Sequence, residues 1–198
     1  MILDSQKHVV VIAGPSGSGE STITNEIVER YSPRIQRLVT ATTRPPRTGE
    51  KNGVDYYFFS KEEFEREKKA GHILESTYIK NRDTYYGTYS PDLEKKIESG
   101  HLVVVNPDLV GARYYKENYG ATTIFIVPEN VDALERRIRE RNPELPSIEV
   151  NQRRANAEAE IKKEKAFYDH VVVNADGKLE EAVKEVVAIL KKEGYTLE

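Results

Sequence analysis

The chain has 198 residues, 38% of them hydrophobic and 32% charged, with a net charge of −3 and no cysteine. That length fits one domain with small inserts, and the near-neutral balance argues against a dedicated nucleic-acid binder, which would carry a basic excess. The composition excludes disulfides, thiolate metal sites and thiol nucleophiles. No apolar run reaches the roughly 18 residues of a membrane span, and MILDSQKHVVVIAG lacks signal-peptide order. His8, His72, His101 and His170 are scattered without ligand spacing. A cytoplasmic protein with neither nucleic acid nor membrane as partner is expected.

Residues 8–13, HVVVIA, form a β-branched run closed by a glycine cluster and predict a buried strand. Residues 21–31 follow with Ile23, Ile27 and Val28 at helical spacing. Further strands are expected at 102–105, 122–127 and 170–174, followed by helices over 109–118, 131–141 and 179–192. Strands that are apolar throughout and alternate with helices indicate a parallel sheet covered on both faces. Residues 40–90 interrupt the alternation with turn formers, an aromatic strand, a short helix and a tyrosine-rich stretch, as a small insert would. A second break, RNPELPSIEVNQRR, joins arginine-rich helical pieces at 131–141 and 148–166.

Between the first strand and helix lies GPSGSGES, residues 14–21. It fits the phosphate-binding loop pattern G-x-x-x-x-G-K-[ST] except at Glu20, where the pattern has lysine. Gly14, Gly17 and Gly19 permit positive φ, which turns successive backbone N–H groups inward, and the helix dipole points at the same place. Ser16, Ser18 and Thr22 belong to the same cradle, and the hydroxyl of Ser21 or Thr22 suits a Mg²⁺ bridging the phosphates. Glu20 exchanges one positive for one negative charge beside a polyanion. At an effective dielectric of about 20, a unit pair 4 Å apart is worth about 4 kcal/mol. Three readings stand open: other cations compensate, the chain binds without catalysing, or the substitution was introduced to disable it.

Thr40 to Phe58 reads TATTRPPRTGEKNGVDYYF. Arg44 and Arg47 flank two stiffening prolines and can clamp one phosphate with forked hydrogen bonds. Asp55, Tyr56, Tyr57, Glu75 and YYGT at 85–88 add acceptors and hydroxyls. A carboxylate accepts from the N1–H and exocyclic amine of guanine, a donor pair that adenine does not present.

This stretch resembles the guanylate kinase family, and the resemblance covers nearly the whole chain. GPSGSG and ST look like its ATP loop and TTRPPRTGEKNGVDYYF like its GMP loop. YYGT, LERRIRERNPE, QRRANAEAE and YDHVVVN match later blocks in order. The resemblance implies a three-layer P-loop α/β fold: a core of 1–39, 91–127 and 167–198, a GMP-binding insert over 40–90, and a lid over 128–166. It implies that Thr40, Arg44, Arg47 and Tyr56 hold the GMP phosphate, with Tyr86 beside them, and that Glu75, Thr88 and Asp108 read the guanine. Arg137, Arg141 and Arg153 would close over the transferred phosphoryl group, and Asn174 would lie near the adenine. The implied activity is phosphoryl transfer from ATP to GMP with Mg²⁺, by a monomer or homodimer. The alternative is an impaired GMP-binding or protein-interaction module. The chain departs from the pattern at Glu20, at Asn106 and Pro107, and in a segment between Glu75 and Tyr86 about two residues longer than usual.

Overall fold

The computed structural model describes residues 7–197; residues 1–6, part of the N-terminal stretch read above, and residue 198 lie outside it. β1 (Val9–Ala13) leads through the glycine loop into α1 (Glu20–Arg30). A short strand β2 (Ile35–Arg37) precedes β3 (Ala41–Thr42), β4 (Tyr57–Phe58), α2 (Lys61–Lys69), β5 (Ile73–Ile79) and β6 (Thr84–Tyr89). The chain continues through α3 (Ser90–Glu98), β7 (Leu102–Val105), α4 (Leu109–Tyr119), β8 (Thr122–Pro128), α5 (Val131–Arg141) and α6 (Ser147–Glu164). It ends with β9 (His170–Asn174) and α7 (Leu179–Lys192).

The strands form a parallel sheet in the order β2-β7-β1-β8-β9 and a mixed sheet in the order β4-β3-β6-β5. In the parallel sheet β1, β7 and β8 are buried along their whole length, as crossover helices on both faces require. The two-residue period of the strands divides the core. Val10, Ile12, Val104, Ile124 and Ile126 face Ile23 and Ile27 of α1 and Val183, Val186 and Leu190 of α7. Val9, Val11, Val103, Val105 and Phe125 face Leu93 of α3 and Ala112 and Tyr115 of α4. The result is the expected three-layer α/β arrangement.

After α7 the chain turns back to bury Tyr195 and Leu197. The Tyr195 hydroxyl donates to the Val9 carbonyl at 2.8 Å and accepts from the Thr122 N–H at 2.9 Å, bridging β1 and β8 where they begin. Two elements escape the pattern read from sequence, the edge strand β2 and helix α3. α3 carries the buried Asp92, whose carboxylate accepts from the Val39 N–H at 2.9 Å and pairs with Lys96. Lys96 in turn donates to the Arg37 carbonyl at 2.8 Å. The pair thereby fastens the segment that leads from the parallel sheet into the mixed one.

Candidate active site

The site lies at the carboxyl ends of the parallel strands, the edge at which open α/β sheets hold ligands. Gly17 and Gly19 take φ values of 91° and 89°, and Gly19 is the residue before α1. Gly14 does not adopt positive φ as expected. It is required by clearance: a Cβ there would come within 2.4 Å of the Ile126 carbonyl and 2.6 Å of Ser18 Oγ. Asn174 holds the loop, its amide donating to the Ser18 carbonyl at 2.8 Å, and keeps its second N–H and its Oδ1 for other partners. With Gly19, Thr22, Arg137 and Asp176 it borders an open cleft of about 460 Å³ beside the loop. Asn106 supports the loop from the other side, donating to the Ile12 carbonyl at 2.8 Å and to Thr24 Oγ1 at 2.9 Å.

Glu20 opens α1, where a carboxylate favours the helix dipole. Its acid is pushed up to about 7, chiefly by burial, while Arg37, the Ser21 hydroxyl and Arg141 act in the opposite sense. Glu160 of α6 is also pushed up to about 7, by burial and by the nearby charges of Glu164, Glu20 and Asp108. Ser21 Oγ lies 3.4 Å from both carboxylate oxygens of Glu20. This hydroxyl–carboxylate pair is a hard-oxygen donor set of the kind Mg²⁺ takes. Among the described residues no group of three or more acidic or histidine side chains is arranged to hold a metal. The rest of the shell would therefore come from phosphate oxygens and water.

Thr40, Arg44, Arg47, Tyr56, Glu75, Tyr86, Thr88 and Asp108 all line one cleft of about 420 Å³ between the two sheets. At its inner end Thr88 Oγ1 donates to Glu75 Oε1 at 2.7 Å and lies 2.5 Å from the Tyr115 hydroxyl. Burial raises the Glu75 acid, with Asp108 adding to the shift and the Thr88 hydrogen bond opposing it. Asp108 accepts from Thr77 Oγ1 at 2.7 Å and from the Gly111 N–H at 3.0 Å, so the same carboxylate faces the cleft and caps α4. At the outer end Arg44 is gripped by both oxygens of Glu50 at 2.9 Å and lies over the Tyr56 and Phe58 rings. Glu50 also accepts from the Arg47 N–H at 2.7 Å. Sequence reasoning missed Glu50. The available signal was a carboxylate three residues after Arg47, across a turn that Gly49 makes at φ 90°.

Arg137, Arg141 and Arg153 come together with Ser16, Gly17 and Arg47 around a third, smaller cavity of about 240 Å³. Arg137 is clasped to the loop side, with Asp176 Oδ1 at 2.9 Å and the Asn174 carbonyl at 2.8 Å. Arg153 pairs with Glu149 at 2.7 Å. α5 and α6 share a small core of Leu134, Ile138, Val150 and Ala157, and Leu134 and Ile138 pack over Gly17.

Known proteins match the chain along nearly its whole length. The sequence profile of the family described as Guanylate kinase matches residues 6–193. A guanylate kinase of Symbiobacterium thermophilum is 41% identical over 186 residues, covering 93% of this chain and 85% of that protein. One from the Wolbachia of Brugia malayi is 35% identical over 195 residues, 98% of this chain and 96% of its own. The crystal structure of guanylate kinase from Anaplasma phagocytophilum superposes with a TM-score of 0.73 at 30% identity, covering 99% of this chain and 90% of that one. A shikimate kinase from Acinetobacter baumannii, 10% identical with a TM-score of 0.50, shares the fold alone. With a profile match spanning nearly its full length and relatives this similar, the chain belongs to the guanylate kinase family.

Proposed function

We infer that the protein transfers the γ-phosphoryl group of ATP to GMP, giving ADP and GDP. One observation carries the reading: a cleft with two carboxylates at its inner end and two arginines at its mouth opens, through Arg47, onto an arginine-walled cavity beside the glycine loop. Glu75 and Asp108 accept from the N1–H and amino group of guanine. Thr88, held against Glu75 and Tyr115, fixes the carboxylate that reads the base. Arg44 and Arg47 hold the GMP phosphate with Thr40, Tyr56 and Tyr86, and Glu50 keeps both arginine positions in place before substrate arrives.

The loop N–H groups cradle the ATP phosphates at the start of α1. A Mg²⁺ bound with ATP, reached by Ser21, would neutralise phosphate charge. One oxygen of the GMP phosphate attacks the γ-phosphorus; the bond from that phosphorus to the β–γ bridging oxygen breaks, and ADP leaves with the electron pair. The nucleophile is already ionised, so no general base is needed. Arg137, Arg141 and Arg153 stabilise charge on the group in flight. Residues 40–90 and 128–166 act as mobile inserts whose closure excludes water. The reaction belongs to the cytoplasm, where both nucleotides are found, and the unit is a monomer or homodimer.

Glu20 favours a second reading, a GMP-binding or interaction module without turnover. A coupled ADP-release assay with ATP, Mg²⁺ and GMP, beside AMP and no-acceptor controls, separates the two. Turnover that requires GMP, in the kinase range of roughly 1–100 per second, is expected. GMP binding in calorimetry with no turnover would establish the module instead.

A further inference from the structure

The turn between β5 and β6 carries a guanidinium that neither the loop motifs nor the lid motifs include. Arg82 ends a single 3-10 turn, Lys80–Arg82, between β5 and β6. The following residue, Asp83, is the one non-glycine position with positive φ among the described residues, at 50°. Asp83 accepts from the Tyr78 hydroxyl at 2.8 Å and pairs with Lys61 of α2. Thr84 Oγ1 donates to the Arg82 carbonyl at 2.8 Å. The backbone that follows Arg82 is thus held in place, and the Arg82 side chain stands at an exposed position.

Arg82 lines the GMP cleft and the arginine-walled cavity alike, and Arg47 is the one other residue common to both. The cavity wall holds five arginines and no carboxylate. Arg137 and Arg153 have carboxylate partners elsewhere. Arg47, Arg82 and Arg141 make no direct ion pair among the described residues, although Arg47 feels the charge of Glu50 and Arg141 that of Glu20, and all three guanidiniums line about 240 Å³ beside Ser16 and Gly17 of the loop. An ordinary surface arginine finds water or a carboxylate. A concentration of cations without direct partners, with no acid in the wall, is the signature of an anion site.

We propose that Arg82 binds the phosphoryl group being transferred, bridging it to the acceptor phosphate held at Arg47, and that it supplies from the insert the positive charge that position 20 of the loop lacks. The proposal rests on the kinase reading above. A lysine at position 20 would approach the β- and γ-phosphates from the loop, whereas Arg82 approaches from the acceptor side. Its planar fork can engage oxygens of both phosphates at once, and a point charge cannot. Arg82 therefore engages only when donor and acceptor are both present, so its contribution falls on the step rather than on binding of either nucleotide alone.

The test uses the full chain and four proteins: wild type, Arg82→Ala, Glu20→Lys and the double variant. Arg82→Ala is expected to lower kcat roughly 100-fold, with GMP affinity in calorimetry within about threefold of wild type and an unchanged melting temperature. In the Glu20→Lys background the same change should lower kcat less than about tenfold. Adenosine and guanosine joined 5′ to 5′ by five phosphates should bind Arg82→Ala at least tenfold more weakly than wild type, while GMP does not. A kcat within threefold of wild type in Arg82→Ala, or undiminished affinity for the joined ligand, overturns the phosphoryl contact. Equal losses with Glu20 and with lysine at position 20 overturn the compensation. If wild type itself shows no GMP-dependent turnover, the kinase reading fails, and the joined-ligand measurement alone decides for or against Arg82.

Discussion

Glu20 has an ordinary acid value of 4.5 and about 7 in the fold, chiefly through burial. The native state therefore holds a proton that the unfolded chain has released between those values. Folding stability falls as pH rises from 4.5 towards 7, and the loss persists above. Glutamine at position 20 cannot ionise, so Glu20→Gln should stabilise the protein at pH 8, by about 3 kcal/mol for a fully buried group and by about 2 kcal/mol once solvent screening of this half-buried side chain is counted, and should leave it nearly unchanged near pH 4.5. Melting curves at the two pH values test this, with an expected rise of roughly 4–8 °C at pH 8 only. A rise of equal size at both would assign the effect to something other than a buried charge. Glu160 should relax with it, because Glu20 contributes to its shift. At this scale the sequence was informative where the chemistry is local: the Arg44–Arg47 spacing and the loop glycines could be read from residue order. Clearance at Gly14 against Ile126 and the tie from the Asn174 amide to Ser18 depend on partners more than a hundred residues away.

Among the elements, those that could be read in advance bury a continuous apolar run, as β1, β7 and β8 do. β2 is the short edge sequence IQR with one buried residue, and α3 carries only Leu93 and Ile97 into the core, too little pattern for either to stand out. The N-terminal proline of α3 was the available signal. α3 nevertheless holds the junction between the sheets, through Asp92. Its carboxylate and Lys96 are both largely buried, with side-chain exposures of 10% and 13%. Removing one partner of such a pair leaves the other uncompensated, so Asp92→Ala should destabilise by about 3–5 kcal/mol. Denaturant unfolding measures the loss. Asp92→Asn keeps the contact with the Val39 N–H and should lose less; equal losses would show that the charge pair, not the backbone tie, is what matters.

For the molecule as a whole, strand–helix alternation announced a parallel sheet, and parallel sheets place their ligands at the carboxyl edge. How the mixed sheet sits over that edge was not legible. The positions of Arg47 and Arg82 relative to the loop depend on the packing of β3 to β6, and no local pattern encodes it. The Tyr195 seam lies at the opposite edge, where β1 and β8 begin. Tyr195→Phe would leave the Thr122 N–H and the Val9 carbonyl without a partner in the interior, at a cost of about 1–3 kcal/mol. Amide hydrogen exchange should then accelerate at Thr122 while turnover stays at the wild-type rate. Equal acceleration throughout the sheet would show that it opens only as a unit. Graded exchange would mean that this domain frays first at the edge remote from its chemistry, so that its weakest seam and its working surface age independently.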